Sequence, residues 1–211
     1  MRNRIPILVL LVGALAALPA AAAGQIAWDT PRLIGPNSPG GFGAYWLRAG
    51  SLPGDGDAAM VTWTLPGLGG AVSVRGGGGT GAADEIAGFG GIDVRTPLAR
   101  HGDDQPLDLE WTAGLGVGVG DYLLVSVPMG ISAGRSWTSG AVWLAPYVSL
   151  GVALDVSFGD QAPDDEFDVT PAADIGMDLS LDPGRHFILR IATSLGDRQA
   201  LVVGASVGGG E

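Results

Sequence analysis

The sequence predicts an all-β chain, an antiparallel up-and-down barrel of about ten strands (eight if the weak early ones merge) that crosses a membrane. Three observations lead there. From Ala141 to Phe158, apolar residues hold every even position: Val142, Leu144, Pro146, Val148, Leu150, Val152, Leu154, Val156 and Phe158. A period of two marks a strand, whose successive side chains leave on opposite faces. This stretch also outruns the usual globular strand of about 5–6 residues. The odd face carries Gly, Ser and a carboxylate instead of the Lys, Glu, Thr and Gln of a water-facing exterior. Large aliphatics are therefore expected to meet lipid, with the small polar set lining a crowded lumen. Finally, turn signals recur at hairpin intervals and no window favours an amphipathic helix.

The ends and the composition bound the rest. Arg2 and Arg4, the apolar run Ile5 to Ala17, and Pro19 before a string of alanines read as a secretory signal peptide over residues 1–23, cleaved after Ala22 or Ala23. The run is shorter than the roughly 20 residues a membrane-spanning helix needs, and with no Cys behind it a lipoprotein anchor is excluded. Cysteine is absent altogether, so an exported fold is held without disulfides or thiolate metal sites. Removing Arg2 and Arg4 leaves nine Arg and no Lys against 22 acidic residues, a charge of −13. Such a balance excludes nucleic acid as a partner, because that surface must be basic. The 37 glycines follow no G-X-Y repeat, which excludes collagen.

Residues 24–40, GQIAWDTPRLIGPNSPG, hold three prolines and no alternation, and are expected to form a periplasmic lead-in tucked under the barrel. The barrel domain is then 41–211. A first strand runs Phe42 to Ala49, and SLPGDGD turns it into a second, Ala58 to Leu65, with Ala59, Val61, Trp63 and Leu65 on one side. A third covers Ala71 to Arg75. The stretch Gly76 to Ala83 lacks the Lys-Ser/Thr pair and following helix of a phosphate-binding loop, and is expected to be a flexible hairpin loop. Ile86 to Thr96 is the fourth strand. The fifth alternates Leu107, Leu109, Trp111, Ala113, Leu115, Val117 and Val119 with Asp, Glu, Thr and Gly. A sixth sends Leu123, Val125, Val127, Met129, Ile131 and Ala133 one way, and GRSWTSG turns into the long stretch described first. The eighth points Phe167, Val169, Pro171, Ala173, Ile175, Met177, Leu179 and Leu181 outward. DPGR leads to a ninth from Phe187, and Leu201 to Val207 is the last.

In lipid every backbone N–H and C=O needs a partner, so strands can span only as a closed barrel. With both termini periplasmic, the outward aromatics Trp63, Trp111 and Phe187 fall at the periplasmic rim, and Phe158 and Phe167 at the outer rim. That is the pattern of two aromatic girdles. An exported chain with dyad strands, short turns and rim aromatics resembles the small outer-membrane β-barrel proteins of Gram-negative bacteria, the OmpA-, OmpX- and OmpW-like group. The resemblance covers about Phe42 to Val207 and is one of pattern, without a diagnostic motif. It implies a bacterial outer-membrane location, lipid and lipopolysaccharide as surroundings, assembly by the barrel-assembly machinery, and a monomer. Such proteins often end on Phe or Trp, which that machinery reads; this chain ends ASVGGGE.

The face assigned to the lumen carries Arg48, Arg75, Asp93, Arg95, Asp108, Glu110, Asp155, Asp168, Asp174, Asp178 and Arg190, and Asp178 meets Arg190 across the DPGR hairpin if the faces keep register. Charges withdrawn from water need partners, so a salt-bridged, largely plugged lumen in a structural, envelope-integrity protein is the first expectation. Two alternatives stay open: a narrow, weakly cation-preferring pore, and a soluble lipocalin-like binding barrel with its apolar set turned inward. No enzyme is expected. A Ser-His-acid site needs a histidine near the outer leaflet, and the only two, His101 and His186, fall at the periplasmic end. The acidic run Asp160, Asp164, Asp165, Glu166 lacks Ca²⁺-loop spacing and reads as solvated charge. Neither metal nor cofactor is expected.

Overall fold

The computed structural model describes residues 26–33, 35–49, 56–67, 70–80, 86–102, 104–160, 162, 167–196 and 198–208. The expected signal peptide, Asp164, Asp165 and Glu166 lie outside them. Eleven strands follow in order: β1 Gly41–Ala49, β2 Gly56–Gly67, β3 Gly70–Thr80, β4 Ile86–Ala99, β5 Asp108–Val119, β6 Leu123–Gly134, β7 Trp137–Ser139, β8 Val142–Phe158, β9 Phe167–Ser180, β10 Phe187–Leu195 and β11 Ala200–Val207. Sequential neighbours other than β6 and β7 pair antiparallel, β1 pairs with β11, and β6 pairs with β8 along Leu123–Gly134, so ten strands close a ring. Closure gives each of the ten ring strands a partner on both sides, the condition a barrel satisfies and an open sheet does not. β7 is a three-residue extension hydrogen-bonded only to the start of β8, in the GRSWTSG segment expected to be a plain turn. We call the end where β1 begins and β11 finishes proximal, and the opposite end distal.

The alternation sets the walls as expected. Along β8 the even residues point out of the ring, with Val148 46 % and Leu150 65 % exposed, while the odd residues Ser149 and Ala153 are buried. Ile175 of β9 is 39 % exposed on the same outer surface. Phe42, Trp63, Trp111 and Phe187 are exposed at the proximal rim, and Phe158 and Phe167 at the distal rim. The five expected girdle aromatics thus divide three to two between opposite rims of the outer surface.

Three features depart from the expectations. The glycine run Gly76–Gly79 is not a loop but the distal half of β3, paired to both β2 and β4. Glycine fits there because the inward Phe89 ring fills the space: a Cβ on Gly77 would come within 2.8 Å of Phe89 Cζ. Arg48 does not face the lumen. It shares parity with Phe42, Ala44 and Trp46 on the outer surface, one residue from the distal end of β1 and directly opposite Asp57. The largest difference is the lead-in, which is not under the barrel but inside it.

From Gly40 at the proximal rim, the described chain threads backwards through the lumen to Ile26 near the distal end. Ile26, Trp28 and Leu33 join an interior apolar cluster with Tyr45, Leu47, Met60, Phe89, Val202 and several alanines. Ile26, Trp28, Asp29 and Arg32 are all at most 4 % exposed. A ten-stranded ring is wide enough to need such a filler, since at about eight strands wall side chains alone suffice.

Candidate functional site: the filled lumen

The lumen is built by inward positions of the strands, and glycine decides where it is hollow. Gly91, Gly114 and Gly116 form a bare patch across β4 and β5 on which the Trp28 indole lies; a Cβ on Gly116 would sit 2.5 Å from Trp28 Cδ2. Trp28 Nε1 donates to the Ser126 carbonyl at 3.2 Å, and the Arg75 guanidinium stacks over the ring with 5.3 Å to its centroid. Gly130 likewise leaves room for Arg32, which donates to Thr112 Oγ1 at 2.8 Å and to the Met129 carbonyl at 3.1 Å.

The wall arginines hold the segment by its backbone. Arg75 donates to the Pro31 carbonyl at 2.9 Å, Arg190 to Leu33 at 2.9 Å, Arg95 to Gly35 at 3.2 Å and Ser38 at 2.8 Å, and Arg100 to Pro36 at 3.0 Å. Tyr147 adds its hydroxyl to the Arg32 carbonyl at 3.0 Å. A segment rich in proline cannot supply a full ladder of its own, and buried carbonyls without donors are costly. Here the lumen charges provide the donors. At the proximal end Asn37 donates to Asp108 at 2.7 Å and Ser38 to Asp178 at 2.6 Å; at the distal end Arg198 donates to Asp29 at 2.7 Å.

Nine of the eleven residues expected in the lumen are there. Arg75, Asp93, Arg95, Asp108, Glu110, Asp155, Asp174, Asp178 and Arg190 are buried on the inner face. Asp168 is on the inward row but exposed at the distal rim, opposite Asp155, and the Thr170 hydroxyl reaches both carboxylates at 3.0 and 3.1 Å. Arg48 is the one on the outer surface. Asp178 and Arg190 are direct register partners and form the expected pair, in two-pronged form: Nε to Oδ1 at 2.5 Å and Nη2 to Oδ2 at 2.7 Å. Parallel N–H donors of this kind are the strongest charge-assisted contacts a protein makes.

Two lumen carboxylates are under-satisfied. Glu110 Oε2 has no hydrogen-bond partner, and neither has either oxygen of Asp93, although Arg75 Nη2 stands 3.5 Å away. Asp93 borders a cavity of about 10 Å³ shared with Trp28, Asp29, Arg32, Arg75 and Thr112, room for about one water.

The two histidines are at the proximal end, each with Nδ1 on a carboxylate: His101 on Asp108 at 2.9 Å, His186 on Asp182 at 2.7 Å. In the exposed β9–β10 turn, the backbone N–H groups of His186 and Gly184, joined by the His186 ring, hold the Asp182 carboxyl below the usual carboxylate range. Among the described residues no group of three or more His, Cys, Asp or Glu is placed to hold a metal ion.

What sequence reasoning missed is the filler. Trp28, Asp29, Arg32 and the wall's Tyr147 and Arg198 were not among the expected site residues. The signal lay in the wall: three glycines on one inward patch need something large against them. The sequence matches no protein-family model, and no curated protein matches it either.

Proposed function

We propose that this chain is an outer-membrane β-barrel protein with a structural, envelope-integrity role and a largely plugged polar lumen. One observation carries the proposal: the closed ring turns its aliphatic rows outward and its charges inward, the inverse of a soluble barrel. A continuous band with Val148, Leu150, Ile175, Val117 and Ile131 exposed far exceeds the apolar patches that water-soluble monomers tolerate. Lipid is the solvent in which that band costs nothing. The ring strands run from 8 residues in β11 to 17 in β8, against the roughly 9–11 that a tilted membrane strand requires. Aromatics at both rims fit two water–lipid boundaries. The lipocalin-like alternative asks for the opposite arrangement of faces.

The described residues 26–33 and 35–38 support the plugged-lumen part of the proposal, since they occupy the interior. Fractionation of cells with gel mobility before and after heating tests the whole. Recovery in the outer-membrane fraction, with a folded form that migrates differently until boiled, is the expected result. Recovery in the soluble periplasm refutes it.

A further inference from the structure

We propose that residues 26–38 are a separable occupant that holds shut a cation-conducting lumen. The inference rests on the membrane-barrel reading above and adds an activity to it. Three features support it. First, the segment fills what the wall leaves open: where Trp28 and Arg32 lie, the wall is glycine at positions 91, 114, 116 and 130. Taking the segment away opens that space, with the Arg75 guanidinium at its side.

Second, the segment takes no part in the strand ladder, and the wall holds it through side-chain donors on its carbonyls. Water can replace each of those bonds, because donor and acceptor are both good hydrogen-bonding groups in their own right. Its covalent tie to the barrel is a single one, at Gly40 on the proximal rim. Among the described residues its apolar hold comes from Ile26, Trp28 and Leu33, with Pro31 and Pro36 buried beside them.

Third, the emptied wall is acidic. Among the described residues the buried inner face carries six carboxylates and three guanidinium groups, with a fourth, part-buried Arg198, beside Asp155, while the segment's own Asp29 and Arg32 cancel. Asp93 is already without a hydrogen-bond partner beside a water-sized cavity, so one wall carboxylate is poised to meet water or a passing cation. Carboxylates around a narrow path favour cations over anions.

The test uses the full chain with a protease site inserted between Pro39 and Gly40, folded first and cut afterwards, so that the barrel forms with its occupant in place. Uncut, cut, and cut-then-urea-washed protein are compared in planar bilayers, with mass spectrometry reporting loss of the fragment and gel mobility reporting the fold. The uncut protein is expected to be silent. The washed, fragment-free barrel is expected to give steady currents that favour K⁺ over Cl⁻. A synthetic peptide of residues 24–39 should close it again, and the same peptide with Trp28→Ala and Arg32→Ala should not. Three results overturn the proposal while leaving the membrane barrel intact: an inserted, folded, fragment-free barrel that is silent or prefers anions; an uncut protein that conducts as well as the stripped one; and a fragment that stays bound until the barrel itself unfolds. A protein that never enters the bilayer or never shows a heat-modifiable band overturns both readings.

Discussion

Replacing Asp178 by Asn removes the charge from the most completely buried ion pair of the lumen. Asp178 is 0 % exposed and accepts from Arg190 Nε, Arg190 Nη2 and Ser38 Oγ at 2.5, 2.7 and 2.6 Å. In Asp178→Asn, one of those acceptors becomes an amide NH₂, and Arg190, 7 % exposed, keeps its charge with the Leu33 carbonyl as its nearest remaining strong acceptor. Breaking a buried pair by removing one partner costs about 3–5 kcal/mol, because the surviving charge is left uncompensated. With a urea slope on the order of 2 kcal/mol/M, a loss of about 4 kcal/mol lowers the unfolding midpoint by about 2 M. Removing both charges with apolar residues of similar volume, as in Asp178→Leu with Arg190→Met, deletes the uncompensated group and should recover most of that loss. The assay is urea unfolding, in the same detergent, of Asp178→Asn and of the cycle formed by the parent, Asp178→Leu, Arg190→Met and the double variant. A coupling of about 2–3 kcal/mol or more between the two sites is expected for a desolvated, two-pronged pair. Asp178→Asn within about 1 kcal/mol of the parent, the range of an exposed pair, or strict additivity, would refute the dry lumen on which this reasoning stands.

Other predictions follow from the walls and the rim. Gly116→Ala places a methyl 2.5 Å from Trp28 Cδ2 and 2.6 Å from the Gly90 carbonyl oxygen, an overpacking loss of about 1–3 kcal/mol visible as a lower Tm in micelles. Gly88→Ala, whose Cβ meets the Gly77 oxygen at 3.8 Å, should leave Tm unchanged. Leu150→Arg at the middle of the outward row should cost about 2–4 kcal/mol for folding into vesicles; a loss within about 0.5 kcal/mol would mean that the row faces water. In the β9–β10 turn the lowered Asp182 carboxyl stabilises the fold above its ordinary value near ~3.9. That contribution is lost as pH falls through the lowered folded value. The amide shifts of Gly184 and His186 should therefore titrate with a midpoint below about 3.9, and a midpoint at or above it refutes the turn's hydrogen bonds.

The strands were legible because a period of two survives single exceptions. Each of the ten ring strands overlaps a stretch that alternation marks, β3 running on past Arg75 to Thr80, and Asp178 finds Arg190 because the DPGR hairpin fixes their register. Arg48 reads as a lumen residue by its charge, but its parity governs: position 48 follows 42, 44 and 46 outward, and near a strand end a charge can reach water from either face. The Gly76–Gly79 portion of β3 was illegible for a different reason. A residue without a side chain has no face to alternate, and its place in the ladder is decided by Phe89 and Met60 on neighbouring strands. The filler could not be read from its own residues, since a segment held by foreign donors on its carbonyls needs neither period nor pairing. Its trace was in the wall, where Gly91, Gly114 and Gly116 keep open the space that Trp28 occupies.

The orientation of the outer rows can be measured directly, because the chain has no cysteine and each single Cys is a unique label site. Nitroxides placed one at a time at Val148, Ser149, Leu150, Val152, Ala153 and Leu154 of β8, in protein reconstituted into vesicles, report collisions with dissolved O₂ and with a water-soluble nickel chelate. The account predicts high O₂ and low nickel collision at 148, 150, 152 and 154, with 149 and 153 shielded from both. Free nickel collision at the even positions, or no alternation along the strand, would contradict it.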